Sequence, residues 1–415
     1  MEYGIIGMPL GHSFSKPIHE SISKITYEIN PLSENEVLSL LAKRDFKGIN
    51  VTIPYKQFVI PQLDFVDTKA KEINAVNTII NKNNKLYGFN TDYGGLKRMI
   101  LDHKIDVKNK LCAILGNGGT HNTSYHLLKD LGAKNIITVT REKLDDTITF
   151  EEFKSHSEIE VIINTTPVGM YPNNHKEIIS LDNFPNLEAL VDVVYNPIRT
   201  PLVIKALRKG INATGGLEML INQAIIANEI FFDHKNDDSL YKSIYANIYY
   251  SKANIVLIGM PMSGKSTIGK ALSEKLNKTF VDIDEEIIKR INMPISEYFS
   301  KYGEDKFRDI EEEVTSEIAK MNNAIISTGG GIIKRVNNLL YLKENGFIVH
   351  LTRDEDLLVY DNSRPLTKTT NDYKKLKEER LPIYRMNQDI EIDNSKEIDE
   401  VVKLIEEAFY ESINY

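Results

Sequence analysis

Two glycine-rich turns, each wedged between an apolar strand-like run and a helix-like one, constrain this chain more than any other feature. The first, Gly116 to Gly119, follows Leu111 to Leu115 (LCAIL), and the second, Gly259 to Ser266 (GMPMSGKS), follows Ile255 to Ile258. Such a turn at the mouth of a helix aims backbone N–H groups at an anion, so each marks a nucleotide site. The second begins beyond the midpoint of the 415 residues, and a complete unit is expected before it. A chain of this length exceeds what one hydrophobic core supports.

Composition narrows the partners. A formal net charge of −8 argues against an extended nucleic-acid surface, which needs clustered Lys and Arg. Cys112, the single cysteine, excludes an intrachain disulfide and reads as a small buried hydrophobe in a reducing compartment. No apolar stretch reaches the roughly 18 residues of a membrane span, and a cytoplasmic location is expected.

Short strand-like runs such as Gly48 to Ile53 and Ala75 to Ile80 alternate with helix-like stretches such as Glu34 to Ala42, the pattern of an α/β layer. At Leu111 a fresh βαβ pattern starts, with a helix to Leu131 and strands at 136–140, 161–163 and 190–194, as in a Rossmann dinucleotide-binding fold. The helix-like stretch 218–230 follows the Gly215-Gly216 break, and 233–252 reads as a closing helix. The expected domains are 1–105 with 218–250, then 106–217, then 253–415. The last has strand, P-loop and helix order, with further strands at 279–283, 324–326 and 347–351.

The second turn has P-loop spacing: Gly259, Met260, Pro261, Met262, Ser263, Gly264, Lys265, Ser266 and Thr267. Its N–H groups are expected to converge on the phosphates of ATP, with Lys265 on the β/γ-phosphates and Ser266 on Mg²⁺. Asp282 and Asp284 follow at i and i+2, read as the end of a strand that points both carboxylates the same way. A helix N-cap is the plainer reading of the pair. Beside a P-loop, a magnesium carboxylate and a hydroxyl-binding carboxylate become the better one.

With Phe307-Arg308, Thr328 to Gly331, Arg364-Pro365-Leu366 and Glu379 to Tyr384, the stretch 255–410 resembles shikimate kinase. The resemblance implies that Asp282 serves Mg²⁺, that Asp284 and the Gly330 backbone hold ring hydroxyls, and that Arg308 and Arg380 clamp a carboxylate. Arg364 would be a lid arginine on the phosphates, although 352–364 is shorter than the family's usual approach to the lid. Phosphoryl transfer asks for positioning and charge neutralisation, which Lys265, Mg²⁺ and Arg364 are suited to supply while Asp284 orients the attacking hydroxyl.

Upstream, Gly11 to Ser15, Asn50 to Lys56, Ile73 to Thr78, Gly88 to Asp92, Asn164 to Met170 and Val194 to Pro197 form an ordered set resembling shikimate dehydrogenase over residues 1 to about 250. By that resemblance Ser13, Ser15 and Tyr195 hold the carboxylate, Thr52, Asn77 and Gln223 surround the ring oxygens, and Lys56 and Asp92 form the catalytic pair. Hydride delivery to a ketone builds negative charge on oxygen; a protonated lysine offsets it and supplies the proton. The NADP(H) contacts would come from Gly116, Asn117, Gly118, Gly119, Thr120, Thr140, Arg141, Val193 and Gly216.

His121 stands where G-x-G-x-x-G has its last glycine, so the generic pattern fails and the family context carries the turn. Arg141 after the next strand favours NADP over NAD; Glu142 beside it opposes a 2′-phosphate, and Glu218 lies where it would alter the nicotinamide-side contact. The combined expectation is a bifunctional enzyme acting on 3-dehydroshikimate and then shikimate. The alternatives are a first half that oxidises quinate with NAD, and a non-catalytic sensor of shikimate-type ligands.

Overall fold

A computed structural model describes residues 1–10, 14–174, 176–357 and 370–413. The chain forms two compact units, Met1–Ile248 and Tyr249–Tyr415. The first holds two six-stranded sheets and the second a five-stranded one.

In the first sheet the strands lie in the order Tyr27–Pro31, Tyr3–Gly7, Gly48–Val51, Thr78–Lys82, Lys85–Phe89, Phe65–Val66, with Thr78–Lys82 antiparallel to both neighbours. The expected strands at 48–53 and 75–80 are thus shifted. The first stops at Val51, before the Thr52–Lys56 turn, and the second starts only at Thr78 because Asn74 adopts a left-handed conformation that ends a helix.

The second sheet is wholly parallel, in the order Asn212–Thr214, Ala189–Asp192, Val161–Asn164, Leu111–Leu115, Asn135–Thr140, Thr147–Thr149. Leu111–Leu115 shows why LCAIL has no polar alternation. Ala113 and Leu115 enter one core, Cys112 and Ile114 the opposite one, so both faces are covered. From this strand the chain runs outward to one edge and then returns to build the other side, leaving a crevice at the carboxyl ends of Leu111–Leu115 and Val161–Asn164.

The third sheet, also parallel, runs Thr279–Asp282, Ala324–Ser327, Asn254–Ile258, Gly346–Thr352, Ile390–Asp393. Its reversal point is the central strand Asn254–Ile258, which delivers the P-loop. The closing helix is Asp238–Lys252, shorter than 233–252 because the helix Leu217–Phe232 ends in a left-handed Asp233. Among the described residues no helix is long and apolar enough to cross a membrane.

Candidate functional site

In the first unit, the sheet and two helices converge on one buried polar cluster. Asn90 caps the helix Thr91–Asp102 by accepting from Tyr93 N, which places Thr91 and Asp92 in its first turn. Gly95 lets this helix press on Leu217–Phe232, since a Cβ there would sit 2.8 Å from Met219 O and 2.9 Å from Gln223 N. The approach brings Thr91 Oγ1 to Gln223 Oε1 at 3.4 Å, while Asn77 donates to Thr91 Oγ1 and accepts from Thr91 N. Lys56, in the turn after Gly48–Val51, donates to Asp92 Oδ2 at 2.5 Å, both side chains about nine-tenths buried. Lys56, Asp92, Asn77 and Gln223 are therefore neighbours, linked through Thr91, which the sequence reading did not single out.

Thr52 is anchored by its N–H on Ile6 O, and its methyl lies against Gly7. Tyr195 is largely buried, which raises its phenol pKa, and its ring meets Phe14, the neighbour of Ser15, at 5.3 Å. Ser15 is itself buried. Ser13 lies outside the described residues.

The glycine turn stands at the crevice of the parallel sheet. Gly116 has φ +93°, and a Cβ there would fall 2.8 Å from Thr166 Cγ2, so only glycine fits. Gly118 caps the helix Gly119–Asp130 and faces open space, while Lys56 Cδ lies 3.7 Å from where a Gly119 Cβ would be. A helix N-terminus open beside the lysine fits a dinucleotide pyrophosphate. Asn117 lies in the same turn, and Thr120 in the first turn of the helix. On the far side, Gly216 admits the carbonyl of Val193, which would be 2.1 Å from a Cβ.

Three residues of this region have partners of their own. His121 bonds Thr138 Oγ1 at 2.9 Å and Asn122 Oδ1 at 3.1 Å, and burial lowers its pKa. Glu218 is buried against His103 Nε2 at 2.6 Å, so its carboxylate is occupied there rather than at the nicotinamide side. Thr140 donates to Glu142 O at 2.6 Å and meets Thr147 Oγ1, which commits its hydroxyl to its own loop; Arg141 is exposed beside it.

In the second unit the P-loop bends where Gly259 passes Leu351 O, 2.4 Å from a would-be Cβ, and where Gly264 passes Asn394 Nδ2. Lys265 opens the helix Lys265–Leu276 and curls over the loop, donating to Gly259 O and Met260 O at 3.0 and 2.9 Å. Ser266 Oγ donates to Asp282 Oδ2 at 2.6 Å and meets Ser327 Oγ at 3.2 Å. A hydroxyl and one carboxylate beside a phosphate cradle fit Mg²⁺, which takes most of its ligands from phosphates and water.

The strand reading of Asp282 and Asp284 is corrected. The strand stops at Asp282, which caps the helix Ile283–Ile291 by accepting from Asp284 N at 3.0 Å. Helix geometry, and not strand alternation, places the two carboxylates.

Gly329, Gly330 and Gly331 form a bare backbone platform against which other groups pack closely. A Cβ on the first would sit 2.6 Å from Asp284 Oδ1 and one on the second 2.7 Å from Pro261 Cδ; on the third it would strike Arg308 Nη2. Asp284, the P-loop at Pro261 and Arg308 are thus gathered around three residues. The Gly330 carbonyl accepts from Arg380 Nη1 and Tyr384 Oη, both at 2.6 Å.

Arg308 is not a bare cation: Nη1 donates to both oxygens of Glu311 and Nη2 to Glu304. Burial raises the Glu311 pKa, opposed by Arg308. These glutamates at i−4 and i+3 were legible as helix spacing but were missed. Arg380 is 2% exposed, and its Nε and Nη2 are buried without a hydrogen-bond partner among the described residues. Lys265, Ser266, Asp282, Asp284, Arg308, Gly329 to Gly331 and Arg380 line a cleft of ≈ 530 Å³ that also includes Met262, Thr267 and Arg353. Arg364 lies outside the described residues. Among the described residues no cluster of three or more His, Cys, Asp or Glu is placed to hold a metal.

Comparisons with known proteins agree with this geometry. The family described as "Shikimate dehydrogenase substrate binding domain" matches residues 5–79, and that described as "Shikimate kinase" matches 261–409. A shikimate dehydrogenase (NADP(+)) of Clostridium beijerinckii is 36% identical over 260 residues, covering 59% of this chain and 96% of that protein. The crystal structure of shikimate dehydrogenase 1 from Peptoclostridium difficile aligns with TM-score 0.56 and 35% identity, over 60% of this chain and 98% of that one. The Thermus thermophilus shikimate 5-dehydrogenase in complex with NADP(H) and shikimate aligns with TM-score 0.53 and 25% identity, over 60% and 99%. The chain belongs to the shikimate dehydrogenase family over its first three-fifths, and a shikimate kinase domain follows, so it is a fusion of the two.

Proposed function

We propose that the chain performs two consecutive steps: NADPH-dependent reduction of 3-dehydroshikimate to shikimate in the first unit, and ATP-dependent phosphorylation of shikimate at its 3-hydroxyl in the second. The product of the first is the substrate of the second.

In the first step NADPH, when bound, supplies the hydride. Lys56 then acts on the ketone oxygen: its ammonium offsets the charge that develops there and passes a proton to it, while Asp92 fixes its direction. The 2.5 Å contact between Lys56 and Asp92, beside the glycine turn, carries this reading. Asn77, Thr52 and Gln223 orient the ring, and Ser15, Tyr195 and Ser13 take the carboxylate. Arg141 takes the 2′-phosphate.

In the second step ATP with Mg²⁺ supplies the phosphoryl group. Lys265 and the loop N–H groups hold the phosphates, Ser266 and Asp282 hold the metal, and Asp284 orients the attacking hydroxyl. The buried, half-unpaired guanidinium of Arg380 carries this reading, because such a cation is costly without an anion. Arg308, held by Glu304 and Glu311, presents the second side of the carboxylate clamp.

One cuvette tests both halves. NADPH loss on 3-dehydroshikimate is expected, followed on addition of ATP and Mg²⁺ by shikimate 3-phosphate. NADPH loss without phosphorylation, or the reverse, would remove one half of the proposal; faster turnover of quinate with NAD⁺ than of shikimate with NADP⁺ would replace the first half.

A further inference from the structure

Six arginines of the second unit fall within the described residues, and four are spent on carboxylates: Arg290 on Glu317, Arg308 on Glu304 and Glu311, Arg335 on Asp309, Arg385 on Glu391. The other two, Arg353 and Arg380, have no carboxylate partner among the described residues, and both line the cleft. Arg380 sits at the substrate end, bonded to Gly330. Arg353 sits at the other, its Nη1 3.6 Å from where a Gly264 Cβ would lie, with Nε buried and without a hydrogen-bond partner among the described residues.

The backbone on both sides of Arg353 is pinned. Thr352 O accepts from Asn394 N at 2.8 Å, Asp354 N donates to Ser395 Oγ at 2.8 Å, and Asn394 Nδ2 in turn holds Ser263 O of the P-loop at 2.8 Å. A guanidinium on a backbone pinned in this way, close to the loop and paired with no described carboxylate, is arranged for an anion that comes from outside the chain. The nearby Glu355 is already used by Lys377 at 2.7 Å.

We infer that Arg353 is a further positioning residue of the kinase site, held over Gly264 to take an oxygen of the phosphate chain of ATP. The inference rests on the reading of the P-loop as the ATP site. Arg353 supplements Lys265 from the end of the strand Gly346–Thr352, so the cation set at the phosphates extends beyond the P-loop itself.

The test is calorimetric binding to the full chain with Mg²⁺, comparing wild type with Arg353→Met. Affinity for ATP and for inorganic triphosphate is expected to fall about 10- to 100-fold, as for loss of a charge-assisted hydrogen bond, with shikimate affinity unchanged. ATP binding within twofold of wild type overturns the inference, as does an equal loss for shikimate, which would mark a structural role. A loss for ATP but not for triphosphate also overturns it, placing the contact on the nucleoside. If wild type itself fails to bind ATP, the P-loop reading falls together with the inference.

Discussion

Each unit sets a nearly buried lysine beside a glycine turn, yet the two are held in opposite ways. Lys56 leans on a carboxylate, Asp92, at 2.5 Å; Lys265 leans on the carbonyl dipoles of Gly259 and Met260. A lysine that hands its proton to an oxyanion gains from a partner that fixes its direction and stabilises its charge between turnovers. One that must neutralise phosphates gains from carbonyl dipoles that hold its ammonium over the loop. The same side chain is thus tuned by its acceptor.

Breaking each lysine separately should show the largest effects. Lys56→Ala is expected to lower dehydrogenase turnover by roughly 10²–10⁴-fold, the span for losing a positioned acid, with shikimate phosphorylation at the wild-type rate. An unchanged rate of NADPH oxidation would remove Lys56 from its role. Lys265→Ala should do the converse, lowering kinase kcat by about 10²–10³-fold while NADPH oxidation persists. Cross-talk between the two assays would undo the separation of the units.

The glycines sharpen the comparison on the packing side. Gly216→Ala forces a methyl to 2.1 Å from the Val193 carbonyl and is expected to cost about 1–3 kcal/mol, read from denaturant unfolding of the full chain followed by dehydrogenase activity. Kinase activity should survive to the wild-type midpoint.

The last effect is one of pH. His19 is fully buried, stacked on Tyr27 at 4.2 Å, and burial lowers its pKa to about 3. Between that value and 6.5 the folded chain binds fewer protons than the unfolded one. Its contribution to stability is therefore complete above about 6.5 and is lost as pH falls, by up to about 1.4 kcal/mol per unit. Asp192 works against it: burial raises its carboxyl to about 6, so its contribution is present below 3.8 and lost as pH rises through 6. The two slopes oppose each other between 3.8 and 6. His19→Phe should therefore lose less stability than wild type as pH falls from about 6.5; parallel curves for variant and wild type would refute the assignment.

Much of this was readable along the chain because it is local. The LCAIL strand, the P-loop and the helix behind it each follow from neighbouring residues. What misled was also local: Asp282 and Asp284 look like strand alternation until the helix that begins at Ile283 is seen, and His121 looks like a defect until Thr138 is beside it. The roles of Thr91, Asn394 and Arg353 had no local signal at all, since their partners come from distant segments.

Residue spacing by itself determined the α/β class, the two glycine cradles and the principal charged groups, because backbone hydrogen bonding and burial act over a few residues. Arg308 finds its two glutamates on its own helix, but tertiary structure alone decided what Arg380 and Arg353 face. Arg380 meets the Gly330 carbonyl and Arg353 lies over Gly264 because distant segments approach closely, which the bare glycine backbones there permit.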